Sequence, residues 1–270
     1  MSGPWPSHAR RWDLLGPPLR PSPEDVAVVA SIAREPWVTP PRVVLLGVTP
    51  ELATLAWPAG TELVAVDRCD TMIASVWPSS GKPAGAKAVL GEWSALPLEA
   101  GSVDLVLGDA VTTVLSYPHA HASVFTEVAR VLRVGGRFVT RALVPPASRE
   151  DVCAIASDLA SGRVGSLNAL KVRLLMALSA PPDHAVRLAD TWDAWREMVS
   201  DPIALFAKLG WNPEALSTID VYRDSPTTYA FASIDELDAI ARDAGLCDRA
   251  VHTPRYELGD RCPTITWRKR

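Results

Sequence analysis

"RVVLLGVTPELA" (residues 42–53) and "TELVAVDRCDTMI" (residues 61–73) set the pattern that decides the fold. Arg42 to Gly47 is a continuous apolar run behind Pro40 and Pro41. It is too short for a helix and rich in valine and leucine, so it reads as a strand buried on both faces. Thr49 is placed to cap the next helix, with Pro50 as its first residue. Leu63 to Val66 repeats the strand pattern and ends on Asp67, followed by a helical stretch over Asp70 to Val76. "AKAVLGEW" (86–93) and "SVDLVLGDA" (102–110) supply a third and a fourth strand. In "HASVFTEVARVL" (121–132) the residues Val124, Val128, Val131 and Leu132 recur at helical spacing, and Gly135 with Gly136 is expected to stop that helix. "RFVTRALV" (137–144) then gives a fifth strand. Strands alternating with helices at this spacing imply right-handed crossovers and a parallel, doubly wound sheet.

On the N-terminal side, proline, tryptophan and arginine crowd the first forty residues, which should be irregular until Ser22 caps a helix beginning at Pro23 and ending before Pro36. On the C-terminal side, the strand signal lapses after Pro145 and Pro146 and returns near Tyr229. Between them lie amphipathic runs: Val152, Ile155 and Leu159; Leu167, Leu170, Leu174, Leu175 and Leu178; Trp192, Trp195 and Val199. Residues 147–225 therefore read as a helical insertion, and 41–146 with 226–270 as the core. In "SIDELDAIARDAGL" (233–246), Ser233 and Glu236 have the spacing of a capping box and Gly245 closes the helix. Strands near Ala250–His252 and Thr264–Trp267 bring the sheet to about seven.

A chain of 270 residues suits one core plus an insertion. Its 48% hydrophobic and 21% charged composition is that of an ordinary globular enzyme. No apolar run reaches the roughly 18 residues of a membrane span and no signal pattern opens the chain, so a cytoplasmic protein without a membrane partner is expected. Cys69, Cys153, Cys247 and Cys262 are scattered, suggesting neither a metal site nor a disulfide framework. A formal charge of -4 argues against a nucleic-acid partner.

Ligands of doubly wound sheets sit at the carboxyl ends of the strands, where strand order reverses. That directs attention to Gly47–Glu51, Asp67, Glu92 with Trp93, and Asp109. A carboxylate ending the second strand has a physical use, since it can accept hydrogen bonds from both ribose hydroxyls of a nucleoside; it can also simply cap the next turn. A diphosphate needs closely approaching glycines at a helix N-terminus. "GVTPEL" (47–52) has one glycine and an acidic first turn, which disfavours NAD and FAD.

"VVLLGVTPELA" (43–53), "LVAVDRCDTMI" (63–73), "AVLGEWSALPLEAGSVDLVLGDA" (88–110) and "VARVLRVGGRFVTRAL" (128–143) resemble, in order and spacing, the motifs of class I S-adenosylmethionine-dependent methyltransferases. The resemblance spans about residues 42–143 and implies an α/β, Rossmann-like core with S-adenosyl-L-methionine as cofactor. By that resemblance Gly47 and its neighbour Thr49 would face the methionine part and Asp67 would hold the ribose. Met72 would pack on adenine, Glu92 would accept from the adenine amino group, and Trp93 would give a backbone donor or a flat face. Asp109 would lie beside the methionyl end. "PLRPSPEDV" (18–26) resembles part of an N-terminal lid, taken as residues 1–40, from which Arg20 would reach the cofactor carboxylate. Two departures stand out: Leu45 occupies the place of an acidic residue usual in the family, and the loop after it keeps a single glycine.

Methyl transfer from a sulfonium is an in-line displacement that depends on near-attack positioning. A base is needed only if the acceptor must lose a proton. In "LSYPHAHAS" (115–123), His119 and His121 are the first candidates and Tyr117 the third, although the same run also reads as a polar turn opening a helix. Trp192, Trp195, Trp211, Met176, Met198 and Phe206 either roof an acceptor pocket or pack the insertion's own core, the second being favoured. The expected function is methyl transfer to a small molecule enclosed by the insertion. A non-catalytic partner subunit and a nicotinamide-dependent oxidoreductase stand as alternatives, and a homodimer is left open.

Overall fold

The computed structural model describes residues 5–270. The N-terminal segment is less irregular than expected: α1 (Trp5–Ala9) and a 3-10 turn (Trp12–Leu14) precede α2 (Pro23–Ala33). Ser22 caps α2 through a full capping box, its hydroxyl accepting from Asp25 N while the Asp25 carboxylate accepts from Ser22 N at 2.8 Å. The alternation then runs β1 (Arg42–Leu46), α3 (Pro50–Ala53), β2 (Glu62–Asp67), α4 (Asp70–Val76), β3 (Lys87–Leu90), β4 (Val103–Asp109), α5 (His119–Val131) and β5 (Leu132–Arg141). Thr49 stands at the N-cap of α3 without a side-chain cap bond, and α3 is a single turn.

Gly135 and Gly136 do not stop α5. The helix ends at Val131, Leu132 is already extended, and both glycines lie inside β5. There the pairing with β4 slips between Val103↔Leu132 and Leu105↔Arg137, and Gly135 takes φ +78°. The glycines thus serve an irregularity in the ladder, as glycine in a strand often does.

The insertion holds α6 (Val152–Ala160), α7 (Leu167–Leu178), β6 (Ala185–Arg187), α8 (Leu188–Met198), α9 (Pro202–Leu209) and α10 (Ser217–Asp220), then β7 (Thr228–Ala230). It is not purely helical, because β6 pairs antiparallel with β7 in a separate two-stranded sheet. The expected core segment 226–270 therefore opens with a strand that belongs to the insertion. The chain closes with α11 (Ile234–Asp243), carrying the Ser233–Glu236 capping box, β8 (Leu246–His252) and β9 (Thr264–Lys269).

Seven strands form one sheet in the order β3-β2-β1-β4-β5-β9-β8, in which only β9 is reversed. Period-2 alternation splits the strands between two cores. Val44, Leu46, Val106 and Phe138 pack with α5 and α11, while Val43, Leu45, Leu105 and Leu107 pack with α2, α3 and α4. A third core, built by Leu170, Leu174, Trp195 and Phe206, belongs to the insertion. No helix among the described residues is long and apolar enough to cross a membrane.

Candidate active site

Strand order reverses between β1 and β4, and the carboxyl ends of β1, β2, β3 and β4 open there into a cavity of ≈ 350 Å³. Gly47, Thr49, Asp67, Met72, Glu92, Trp93 and Asp109 all line it. Seven of the eight residues expected to hold the cofactor are thus brought together, and Arg20 is the exception.

Asp67 ends β2 as a buried carboxylate. Its Oδ1 accepts from Cys69 N at 2.8 Å, so one oxygen turns the chain into α4. The other, Oδ2, lies on the Gly47 side: a Cβ placed on Gly47 would sit 3.9 Å from it and 3.8 Å from the Trp93 ring. Burial raises the Asp67 pKa, against the lowering effect of the Cys69 amide. Gly47 adopts φ +92° and donates its N–H to Val66 O at 2.8 Å, a backbone shape that favours glycine. Trp93 Nε1 donates to the same Val66 carbonyl at 2.7 Å, fixing the indole as a wall beside Gly47 and Asp67.

Asp109, at the end of β4, is held in an ion pair. Arg141 Nε donates to its Oδ1 at 2.6 Å with both side chains almost fully buried. Burial opposes the Arg141 charge, but the Asp109 carboxylate outweighs it and raises the Arg141 pKa. Arg20 does not reach the cavity. Its guanidinium pairs with Glu51 at 2.5 Å, donates to Trp12 O at 3.1 Å and stacks 5.0 Å from the Trp12 ring.

The residues expected to do acid–base work are not among those lining the cavity. Helix α5 presents Ala120, Ser123 and Val124 to it, which turns His121 into the core behind. There His121 packs edge-on against Tyr117, and burial lowers its pKa. Tyr117 packs further against His184, and His119 is exposed. Helical geometry explains the outcome, since neighbours one or two positions apart do not share a face.

The cavity is also lined by parts of the chain that the motif pattern does not cover. Trp5, His8, Trp12, Leu15 and Leu19 come from the N-terminal segment, and Tyr222 and Tyr229 from the insertion. The spacing Trp5, His8, Ala9, Trp12 was the available signal for the former, placing four residues on one helical face. Of the insertion's other aromatic and methionine candidates, Trp195, Phe206 and Met176 are buried in its own core, with Trp192, Met198 and Trp211 packed around them.

Residues 46–140 match the family model described as a methyltransferase domain. No curated relative matches the chain by sequence. Among solved structures, the CcbJ methyltransferase of Streptomyces caelestis is 19% identical, with a TM-score of 0.56 over 97% of this chain and 96% of that one. A SAM-dependent methyltransferase of Methanosarcina mazei is 13% identical, with a TM-score of 0.53 over 93% and 99%. A structure from Rhodobacter sphaeroides described as a zinc-dependent alcohol dehydrogenase is 15% identical, with a TM-score of 0.61 over 98% and 99%. At such identities the likenesses concern the fold alone, and the domain match covers residues 46–140. Residues 46–140 match a methyltransferase domain, and the chain around that stretch has the fold of solved S-adenosylmethionine-dependent methyltransferases.

Proposed function

We propose that this enzyme methylates a small molecule held inside the cavity, between the strand ends and the roof formed by the N-terminal segment and the insertion. The carrying observation is how deeply the lining from the N-terminal segment and the insertion is buried: Tyr222 is 1% exposed and His8 4% exposed, yet both line the cavity. A macromolecular acceptor would not reach side chains buried so deeply. The lining there is largely apolar, with a few polar groups converging on it, as small-molecule sites are.

The near end suits the cofactor's nucleoside. Gly47 leaves space beside Asp67 Oδ2 and the Trp93 ring that any side chain would fill. The proposed roles are Asp67 as acceptor for the ribose hydroxyls, Met72 and Trp93 as apolar walls for adenine, and Glu92 as acceptor for its amino group. Gly47 and Thr49 face the methionine part. Asp109 borders the methionyl end while Arg141 holds it in place. When bound, S-adenosylmethionine supplies an electrophilic methyl group, and the protein's task is to hold a nucleophile in line with it and keep water out.

Incubating the enzyme with methyl-labelled S-adenosylmethionine and a cell extract separated into low-mass, protein and nucleic-acid fractions tests this reading. Label is expected in the low-mass fraction. Label in either macromolecular fraction would refute it.

A further inference from the structure

His8 is a buried imidazole with an unusual position. Both Nδ1 and Nε2 are shut off from solvent, and among the described residues neither has a hydrogen-bond partner. Such a group is costly unless something completes it. The ring lines the cavity together with Tyr222, whose ring centroid is 6.1 Å away at an interplanar angle of 82°, and Trp5, at 5.6 Å. Thr113, on the turn after β4, adds another lining side chain whose hydroxyl is buried and unpartnered. Around these polar atoms the walls are apolar: Trp12, Leu15, Leu19, Val114 and Leu143.

We infer that His8 is a catalytic residue, its imidazole accepting the hydroxyl hydrogen of an apolar, hydroxylated methyl acceptor. The inference rests on the proposed enclosure of a small acceptor in this cavity. It takes over the role that the sequence suggested for His119 and His121.

The surroundings hold the imidazole in its accepting form. Burial, with Lys171 and then Arg11 nearby, lowers the His8 pKa to about 3. Lys171 is itself fully buried, donates to Thr218 Oγ1 at 2.9 Å and lies 5.7 Å from the centre of the Tyr222 ring. A base this weak takes no proton from a resting alcohol or from an alkylammonium. It does take one from an oxygen that is gaining a third bond, and with it positive charge. As the new C–O bond forms and the S–C bond breaks, the bonding pair stays on sulfur. The hydroxyl proton passes to His8, which gives it up to water that enters the cavity when the product leaves.

The test uses protein loaded with S-adenosylhomocysteine and two probes, 2-naphthol and 2-methylnaphthalene. Calorimetry should show 2-naphthol binding at least about ten-fold more tightly, as a buried hydrogen bond allows. His8→Ala should erase that preference, and His8→Gln, whose carbonyl still accepts, should keep much of it. The affinity for S-adenosylhomocysteine should be the same in all three proteins. In the wild type, the His8 imidazole nitrogen resonances should move on adding 2-naphthol and stay put with 2-methylnaphthalene, a readout that needs no variant. With S-adenosylmethionine, conversion of 2-naphthol to its methyl ether should fall about 100-fold or more in His8→Gln. Equal binding of the two probes to the wild type, a preference that survives His8→Ala, or a loss of S-adenosylhomocysteine affinity in His8→Ala would overturn the inference. If the wild type binds no S-adenosylhomocysteine, the methyl-transfer reading itself fails.

Discussion

Arg141, at the end of β5, donates from Nε to Asp109 at 2.6 Å and from Nη1 to Pro18 O at 2.6 Å. One guanidinium therefore ties the end of β4 to the N-terminal segment that roofs the cavity. Removing it leaves the Asp109 carboxylate buried without its partner. Arg141→Met should cost about 3–5 kcal/mol in urea unfolding and expose the segment before α2 to proteolysis. An unchanged midpoint with an unchanged cleavage pattern would contradict that role.

Gly47 holds φ +92° between Asp67 and Trp93. Gly47→Ala should destabilise the fold by about 1–2 kcal/mol through left-handed strain and weaken S-adenosylhomocysteine binding as well, because the added methyl enters the cavity. Calorimetry beside thermal unfolding checks both. A variant with full affinity would show that the cofactor does not approach this loop.

Lys171 is fully buried with no carboxylate in salt-bridge range among the described residues, and burial lowers its pKa from 10.5 to about 7. The folded state thus binds fewer protons than the unfolded state between those values, so Lys171 makes stability rise with pH across that window. Below pH about 7 the penalty of its buried charge is fully present, and above about 10.5 it is gone. Lys171→Met should therefore be more stable than wild type, by several kcal/mol near pH 6, with the gain shrinking as pH rises towards 10. A stability difference that does not change with pH would contradict the buried, unpaired charge.

The sequence legibly carries the sheet because its central strands are apolar on both faces and its helices are not. The same periodicity cannot see β6, a three-residue strand defined only by its pairing with β7. Nor can it tell that Gly135 and Gly136 lie in a slipped ladder rather than after a helix. At the site, the gathering of Asp67 and its companions around one cavity was legible because they follow the carboxyl ends of the parallel strands. His119 and His121 misled because nearness in sequence to the right loop does not fix which face of α5 a residue occupies. His8 was hidden because its significance comes from Tyr222, more than two hundred positions away. Arg20 was assigned a ligand, whereas Glu51 and the Trp12 ring engage it.

Asp67 is where the cofactor assignment is most exposed to test. Calorimetric titration of S-adenosylhomocysteine into the wild type should show one site per chain, with no binding of NAD. Asp67→Ala should lose about 1–3 kcal/mol of that affinity, the worth of buried hydrogen bonds to the ribose. Full affinity in Asp67→Ala, or binding of NAD in place of S-adenosylhomocysteine, would contradict it.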